Sequence, residues 1–155
     1  MKLPTAGPSG GVRRMGKDAH WQVTIERIAP GRFLASNGCG AQIAIGSGSG
    51  ADFMPAELLL AAICGCTSID VDTLISRRAE PDSFCVQADA KKVKDEKGAS
   101  QLTDITVTFR IAFPGGEGGD DARALLPDAV RQSHDRLCTV GRTIEAGTPI
   151  TARIA

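Results

Sequence analysis

The sequence lacks an excess of charge of either sign, and this absence limits its partners. Its 155 residues include 18 basic and 18 acidic side chains, which leave no net charge to attract nucleic acid or an anionic membrane. No basic run is long enough to form a patch that follows a phosphate backbone. We therefore expect no nucleic-acid partner.

The sequence also lacks the apolar segments of membrane and secreted proteins. No uninterrupted apolar stretch approaches the roughly 20 residues that a spanning helix needs. The first 20 residues contain basic side chains, but no apolar core of a secretion signal follows them. These absences predict a cytoplasmic protein with no membrane partner.

The sequence also lacks an even number of cysteines. The chain has five, an odd number that argues against a structural disulfide framework in a non-secreted protein: Cys39, Cys64, Cys66, Cys85 and Cys138.

The composition also predicts where the folded domain begins along the chain. The Gly- and Pro-rich opening predicts a disordered N-terminal extension over residues 1–20, and residues 21–155 are long enough for one domain with its own core.

Hydrophobic periodicity predicts an α+β domain of the order βββ-α-ββ-α-β, with helices segregated from an antiparallel sheet. The expected elements are a hairpin from Trp21 that turns at Pro30-Gly31, a strand at 41–45, a helix at 55–77, strands at 83–92 and 104–113, a helix at 122–137 and a closing strand at 149–154. Pro127 is expected to kink or split the second helix. The Gly-rich stretch 115–119 lacks the Lys-Ser/Thr ending of a phosphate loop and is interpreted as a flexible linker.

The helix predicted at residues 55–77 is unusual in being apolar on every side over its first half. Pro55 at the first helical position and Glu57 shortly after it are typical of a helix start. Residues 58–63 then contain no polar side chain. A helix enclosed in this way in a small domain predicts that a partner subunit covers it.

Two cysteine strings indicate function. Cys66 ends the step Ala61-Ala62-Ile63-Cys64-Gly65-Cys66, and Cys138 lies in a Ser-x4-Cys-x-Val string that starts at Ser133. From Trp21 to Ile154 the sequence resembles the OsmC/Ohr family, thiol-dependent peroxidases of osmotic induction and organic hydroperoxide resistance. The resemblance implies an intertwined homodimer with the cysteine helices at the subunit interface.

The resemblance also implies roles for the two cysteines in oxidative-stress defence. Cys66 is the candidate peroxidatic thiol that attacks an organic hydroperoxide, and Cys138 is the resolving thiol that closes a disulfide. A dithiol reductant protein of the lipoyl type then reduces that disulfide, and no bound cofactor is expected. Independently, a thiolate is the nucleophile in such chemistry, and a second thiol traps the sulfenic acid before further oxidation.

An activating arginine and its glutamate are the remaining parts that the resemblance implies. Arg32, after the Pro30-Gly31 turn, is the first candidate for the arginine, and Arg27 is the next. Glu57 is the candidate glutamate, but nine helical residues before Cys66 it is expected to face away from that thiol. The Pro55-Ala56-Glu57 spacing resembles a less characterised branch of the family.

Asp70 is a further complication in the cysteine helix. It follows Cys66 by four residues, on the same helical face, where a bare carboxylate disfavours a thiolate. Either an arginine bridges the two groups or the thiol is not activated.

Two other interpretations remain open. The thiols can be packing residues of a non-enzymatic dimer that binds a small apolar ligand in its interface cleft, because free cysteine is among the most buried residue types. A metal site can also be drawn from Cys64, Cys66, His134 and Cys138, but Cys-x-Cys on a helix splays its sulfurs. Cys39 and Cys85 are interpreted as structural.

Overall fold

The computed structural model describes residues 20–154, and the chain forms two compact units. The first unit ends at Asp52 and the second begins at Phe53. Residues 1–19 and 155 lie outside the described part, and with them nearly all of the predicted N-terminal extension. The predicted α+β class is confirmed, because antiparallel strands and separate helices make up the described chain.

The first unit contains a three-stranded antiparallel sheet. Its strands are β1 (Val23–Ala29), β2 (Arg32–Asn37) and β3 (Gln42–Gly46), hydrogen-bonded in the order β1-β2-β3. The predicted hairpin between β1 and β2 is confirmed. Gly31 has a φ of 69°, in the left-handed region that favours glycine, and this allows the tight reversal between the two strands.

The second unit contains the helices and a two-stranded antiparallel sheet. Its elements are α1 (Pro55–Ile75), β4 (Ser83–Lys94), β5 (Ser100–Ala112), α2 (Glu117–Gln132), a π-helical turn (Ser133–Leu137) and α3 (Thr139–Glu145). The core of this unit joins α1, α2 and the end of β5, with side chains of both strands packed against it. Its buried members are Val71, Ile75, Phe113, Ala122 and Ala129.

Helix α1 confirms the prediction of a long apolar helix that begins at Pro55. Among the residues that the structure describes, the buried positions of α1 form one stripe, with a buried residue at every fourth position: Ile63, Thr67, Val71 and Ile75. This spacing is the i, i+4 pattern of a single helix face. Apolar residues on the other sides stay open, and Ile69 is 70% exposed.

By length and composition alone, α1 could also cross a membrane, contrary to the expectation from the sequence. Within the described chain, 17% of its apolar 18-residue window is buried. The core helix of a soluble protein meets the same two criteria, so this property is weak evidence for a membrane span.

The Gly-rich stretch at residues 115–119 is more ordered than predicted. Its interpretation as a flexible linker is wrong for its second half, because α2 begins at Glu117. Gly119 is buried, and a Cβ atom placed on it would overlap the carbonyl oxygen of Pro114. The first turn of α2 can therefore lie against Pro114 only if this position is glycine.

Pro127 does not split α2. The helix continues through it to Gln132, so of the predicted kink or split the split is wrong. A proline removes one intrahelical hydrogen bond, and the buried contacts of Ala122 and Ala129 hold both sides of α2 on the core. The regular helix instead ends in the π-helical turn just before Cys138.

The strand predicted at residues 149–154 is absent from the described chain. Ile150 and Ile154, which suggested the alternation, are 97% and 103% exposed. An alternating segment becomes a strand only where a neighbouring strand completes its hydrogen bonds. Within residues 20–154, no strand pairs with this segment.

A paired-cysteine candidate active site

Cys66 lies near the middle of α1 and is half-buried. The next residue, Thr67, belongs to the buried stripe of the helix. Its hydroxyl donates to the carbonyl oxygens of Ile63 at 3.0 Å and Cys64 at 3.1 Å. Because that hydroxyl is occupied within the helix, the Cys66 thiol is the group with nucleophilic chemistry at this point of α1.

Cys138 lies between the π-helical turn and α3 and is 1% exposed. Its backbone N–H donates to the carbonyl oxygen of Ser133 at 2.8 Å, a bond that spans five residues and is typical of a π-helix. Its backbone is extended, with φ −65° and ψ 99°, and its Sγ accepts the N–H of Gly141 at 3.3 Å. These two bonds fix Cys138 as the N-terminal cap of α3 and set the direction of its thiol.

The fold brings Cys66 and Cys138 together, although they are far apart in the sequence. The Cys66 thiol is a near neighbour of Cys138, close enough to raise the pKa of the Cys138 thiol. Both are free thiols in this structure. Two thiols side by side are the arrangement in which one traps a sulfenic acid formed on the other.

The surroundings of Cys138 favour its neutral form. Burial is the main cause that raises the pKa of its thiol, and the neighbouring Cys66 and the charge of Asp70 raise it further. The N–H of Gly141 lowers the pKa but does not outweigh burial. A raised pKa leaves Cys138 as a thiol at neutral pH. A protonated thiol suits a group that reacts after its partner has been oxidised, rather than a group that reacts first.

A cavity of about 430 Å³ opens next to Cys138. Its wall is mainly apolar and includes Ile63, Ile105, Val107, Phe109, Val130 and Ile144. Cys138 is part of the lining and Cys66 is not. His134 and Glu145 add polar groups, with His134 Nδ1 at 3.8 Å from Glu145 Oε1. A mostly apolar cavity with few polar groups is typical of a site for a small apolar molecule.

The structure does not bring Glu57 to the cysteine pair. Its carboxylate accepts the backbone N–H of Met54 at 2.8 Å and caps the start of α1. It lines a separate groove, on the side of α1 that carries Cys64 and Gly65. The expectation that Glu57 faces away from Cys66 agrees with this placement.

Arg32 lies in the first unit, where its Nε donates to the Asp52 carboxylate at 2.7 Å. This hydrogen bond lowers the pKa of Asp52. Arg32 remains largely exposed, with 53% of its side chain accessible. Arg27, the second candidate, is also exposed and lies on β1 opposite Phe33.

Asp70 and Ser133 form a contact that the sequence did not reveal. The hydroxyl of Ser133 donates to Asp70 Oδ2 at 2.9 Å, and Ser133 is fully buried. Of the two alternatives that the sequence left open, the arginine bridge is not formed: within residues 20–154 no ion pair involves Asp70, which accepts from a serine instead. The only sequence signal for Ser133 was its position at the start of the Ser-x4-Cys string.

The other cysteines lie apart from this pair. Cys39 and Cys85 are exposed, whereas Cys64 is half-buried and its pKa is raised mainly by burial. Within the described residues, no three side chains of the His, Cys, Asp or Glu type cluster closely enough to hold a metal ion. The metal site considered from Cys64, Cys66, His134 and Cys138 is therefore not assembled by this chain.

Comparison with known proteins finds similarity over most of the chain. A family model described as OsmC-like protein matches residues 46–153. An uncharacterized protein of Mycobacterium tuberculosis is 26% identical over 134 residues, which are 86% of this chain and 95% of that protein. The family match therefore includes both cysteines.

Two solved structures have a similar fold. A hypothetical protein from Aquifex aeolicus superposes with a TM-score of 0.68 at 21% identity, covering 84% of this chain and 91% of that one. The organic hydroperoxide resistance protein OhrB of Bacillus subtilis superposes with a TM-score of 0.55 at 15% identity, covering 81% and 90%. At these identities the likeness shows the fold.

Proposed function

Because the chain belongs to the OsmC-like protein family, we propose that it is a thiol-dependent peroxidase that reduces organic hydroperoxides in oxidative-stress defence. The observation that carries this proposal is the proximity of Cys66 to Cys138, which itself lines an apolar cavity. The fold shared with a hydroperoxide resistance protein supports the same class of reaction.

In the proposed reaction, the Cys66 thiolate attacks the distal oxygen of the hydroperoxide. A sulfur–oxygen bond forms, the oxygen–oxygen bond breaks, and the alcohol leaves with a proton from the solvent. The Cys138 thiol then attacks the Cys66 sulfenic acid, which releases water and leaves a disulfide. An external dithiol reductant of the lipoyl type restores both thiols and is itself oxidised. The apolar cavity wall supports an alkyl or other apolar substituent on the hydroperoxide.

We also propose that the protein acts as a homodimer in the cytoplasm. The support is the state of α1, where apolar residues outside the buried stripe are exposed, Leu59 at 37% and Ile69 at 70%. Gly65 has no atom of the described chain within 4 Å of a Cβ placed on it, so a partner backbone could approach there closely. Covering such a helix removes apolar surface from water and stabilises the assembly.

The peroxidase proposal is tested by treating the reduced protein with one equivalent of cumene hydroperoxide. After alkylation of the remaining thiols, peptide mass spectrometry is expected to find a Cys66–Cys138 disulfide, with one alcohol formed per bridge. Cys39 and Cys85, which lie apart from the pair, are expected to be alkylated in full. If the hydroperoxide persists and both Cys66 and Cys138 are alkylated, the non-enzymatic dimer that binds an apolar ligand replaces the peroxidase.

Arg32 is proposed as the positive charge that favours the Cys66 thiolate. Because a desolvated thiolate depends strongly on a nearby positive charge, Arg32→Ala is expected to slow hydroperoxide consumption by roughly 100-fold. Stopped-flow measurement of single-turnover rates checks this expectation. Arg27→Ala is the matched control and is expected to keep the wild-type rate.

The ion pair with Asp52 needs its own control, because Arg32→Ala also removes that contact. Asp52→Asn removes the charge of the partner and keeps the guanidinium, so its rate is expected to stay within about threefold of the wild type. Equal rates for Arg32→Ala, Arg27→Ala and the wild type would remove the assignment of an activating arginine to Arg32.

A further inference from the structure

A part-buried hydrogen bond joins the π-helical turn to α1. Ser133, its first residue, is fully buried, and its hydroxyl donates to Asp70 Oδ2 on α1 at 2.9 Å. The carbonyl oxygen of the same Ser133 accepts the N–H of Cys138 at 2.8 Å. Ser133 thus bonds to α1 through its side chain and to Cys138 through its backbone.

Asp70 is placed to act on both cysteines. It lies one helical turn after Cys66 on α1, so the two side chains share a helix face. Through Ser133 it also reaches the residue that sets the backbone position of Cys138. A short path therefore connects the two thiols. It runs along α1 from Cys66 to Asp70, and then by hydrogen bonds through Ser133 to Cys138.

We propose that Asp70 is a positioning residue for the cysteine pair, which holds the π-helical turn through Ser133 so that the Cys138 thiol stays against Cys66. This inference rests on the proposed function, because it names how the two thiols of that reaction are kept together. A π-helical turn is a rare element, and the part-buried hydrogen bond from Ser133 to Asp70 stabilises it here.

The charge of Asp70 gives this role a second consequence. Titratable groups near Cys138 come from α1, as Cys66 and Asp70, and from the cavity lining, as His134 and Glu145. Of these, Cys66 and Asp70 raise the pKa of the Cys138 thiol, after burial. Asp70 therefore helps to keep Cys138 protonated.

Three variants separate the hydrogen bond from the charge. Asp70→Asn keeps an oxygen that accepts from Ser133 and removes the charge, Asp70→Ala removes both, and Ser133→Ala removes only the hydrogen bond. Asp72→Ala is the matched control, since Asp72 lies on the same helix and also accepts from a serine, Ser76 at 2.9 Å. Far-UV circular dichroism confirms that each variant is folded.

The first readout is the rate at which diamide, a thiol oxidant that needs no peroxidase activity, closes the Cys66–Cys138 disulfide. Asp70→Ala and Ser133→Ala are expected to slow closure by roughly tenfold, because the thiols are no longer held in reacting geometry. Asp70→Asn is expected to close the disulfide no more slowly than the wild type, and Asp72→Ala is expected to stay near the wild-type rate. Wild-type rates in both Asp70→Ala and Ser133→Ala would overturn the proposal.

The second readout is the pH profile of Cys138 alkylation by iodoacetamide, measured with Cys66→Ser in every protein. Asp70→Asn is expected to move the midpoint to lower pH, whereas Ser133→Ala is expected not to lower it, because the carboxylate remains. An unchanged midpoint in Asp70→Asn contradicts the electrostatic part of the role. Because neither readout uses a hydroperoxide, a protein that fails to consume peroxide still tests the positioning role.

Discussion

Replacing Cys66 by serine is expected to reduce hydroperoxide consumption to the uncatalysed background, at least roughly 1,000-fold below the wild-type rate. A serine hydroxyl is not ionised at neutral pH and cannot form a sulfenic acid, so the first step has no nucleophile. The measurement is the turnover of cumene hydroperoxide with dihydrolipoamide as reductant. Cys64→Ser, two residues earlier on the same helix, is the matched control and is expected to keep the activity.

The Cys138→Ser variant is expected to lose hydroperoxide turnover in a different way from Cys66→Ser. Without added dithiol it should consume about one equivalent of hydroperoxide and then stop, because no neighbouring thiol resolves the Cys66 sulfenic acid. Dimedone labelling followed by mass spectrometry should find that sulfenic acid on Cys66. The cavity is lined by Cys138 and not by Cys66, so the reverse pattern is a real alternative. A dimedone adduct on Cys138 in the Cys66→Ser protein would show that Cys138 attacks the hydroperoxide and that Cys66 is the resolving thiol.

Replacing Gly119 by alanine is expected to lower the free energy of unfolding by about 3 kcal/mol. The added Cβ atom would overlap the carbonyl oxygen of Pro114, a backbone atom that cannot rotate away as a flexible side chain can. Relief requires a shift of the first turn of α2 away from Pro114, and that turn leads into the buried Ala122. Urea unfolding at 25 °C, followed by circular dichroism, measures the loss.

Gly115→Ala is the control for this effect, because it is the same substitution in the same Gly-rich stretch. A Cβ atom on Gly115 meets nothing within 4 Å, and its backbone is not in the left-handed region. Its free energy of unfolding is expected to stay within about 0.5 kcal/mol of the wild type. Equal stabilities for the two variants would show that α2 does not need glycine at residue 119.

Most of the secondary structure could be predicted because its signals are local. Alternation along β1, β4 and β5 and the Pro-led apolar run of α1 are repeated patterns within short windows, and each element forms there. The prediction of a closing strand at residues 149–154 was wrong, although its signal was also local. The alternation of Ile150 and Ile154 is a local pattern, but a strand also needs a neighbour, and residues 20–154 do not supply one.

The course of α2 shows how tertiary contacts override local preference. Gly-rich residues 115–119 and Pro127 both have poor helix propensity, yet both lie at least partly inside α2. Burial of Gly119 against Pro114 and of Ala129 in the core compensates for that propensity. These contacts join residues whose proximity no short window of sequence could reveal.

The α+β class, the family, the helix start at Glu57 and the two cysteine strings could be predicted from the sequence, because local spacing and composition encode each of them. The proximity of Cys66 to Cys138 and the hydrogen bond from Ser133 to Asp70 became visible only in the tertiary structure. Both concern segments that are distant in the sequence. They depend on how α1 packs against the π-helical turn and α3, and periodicity does not encode that packing.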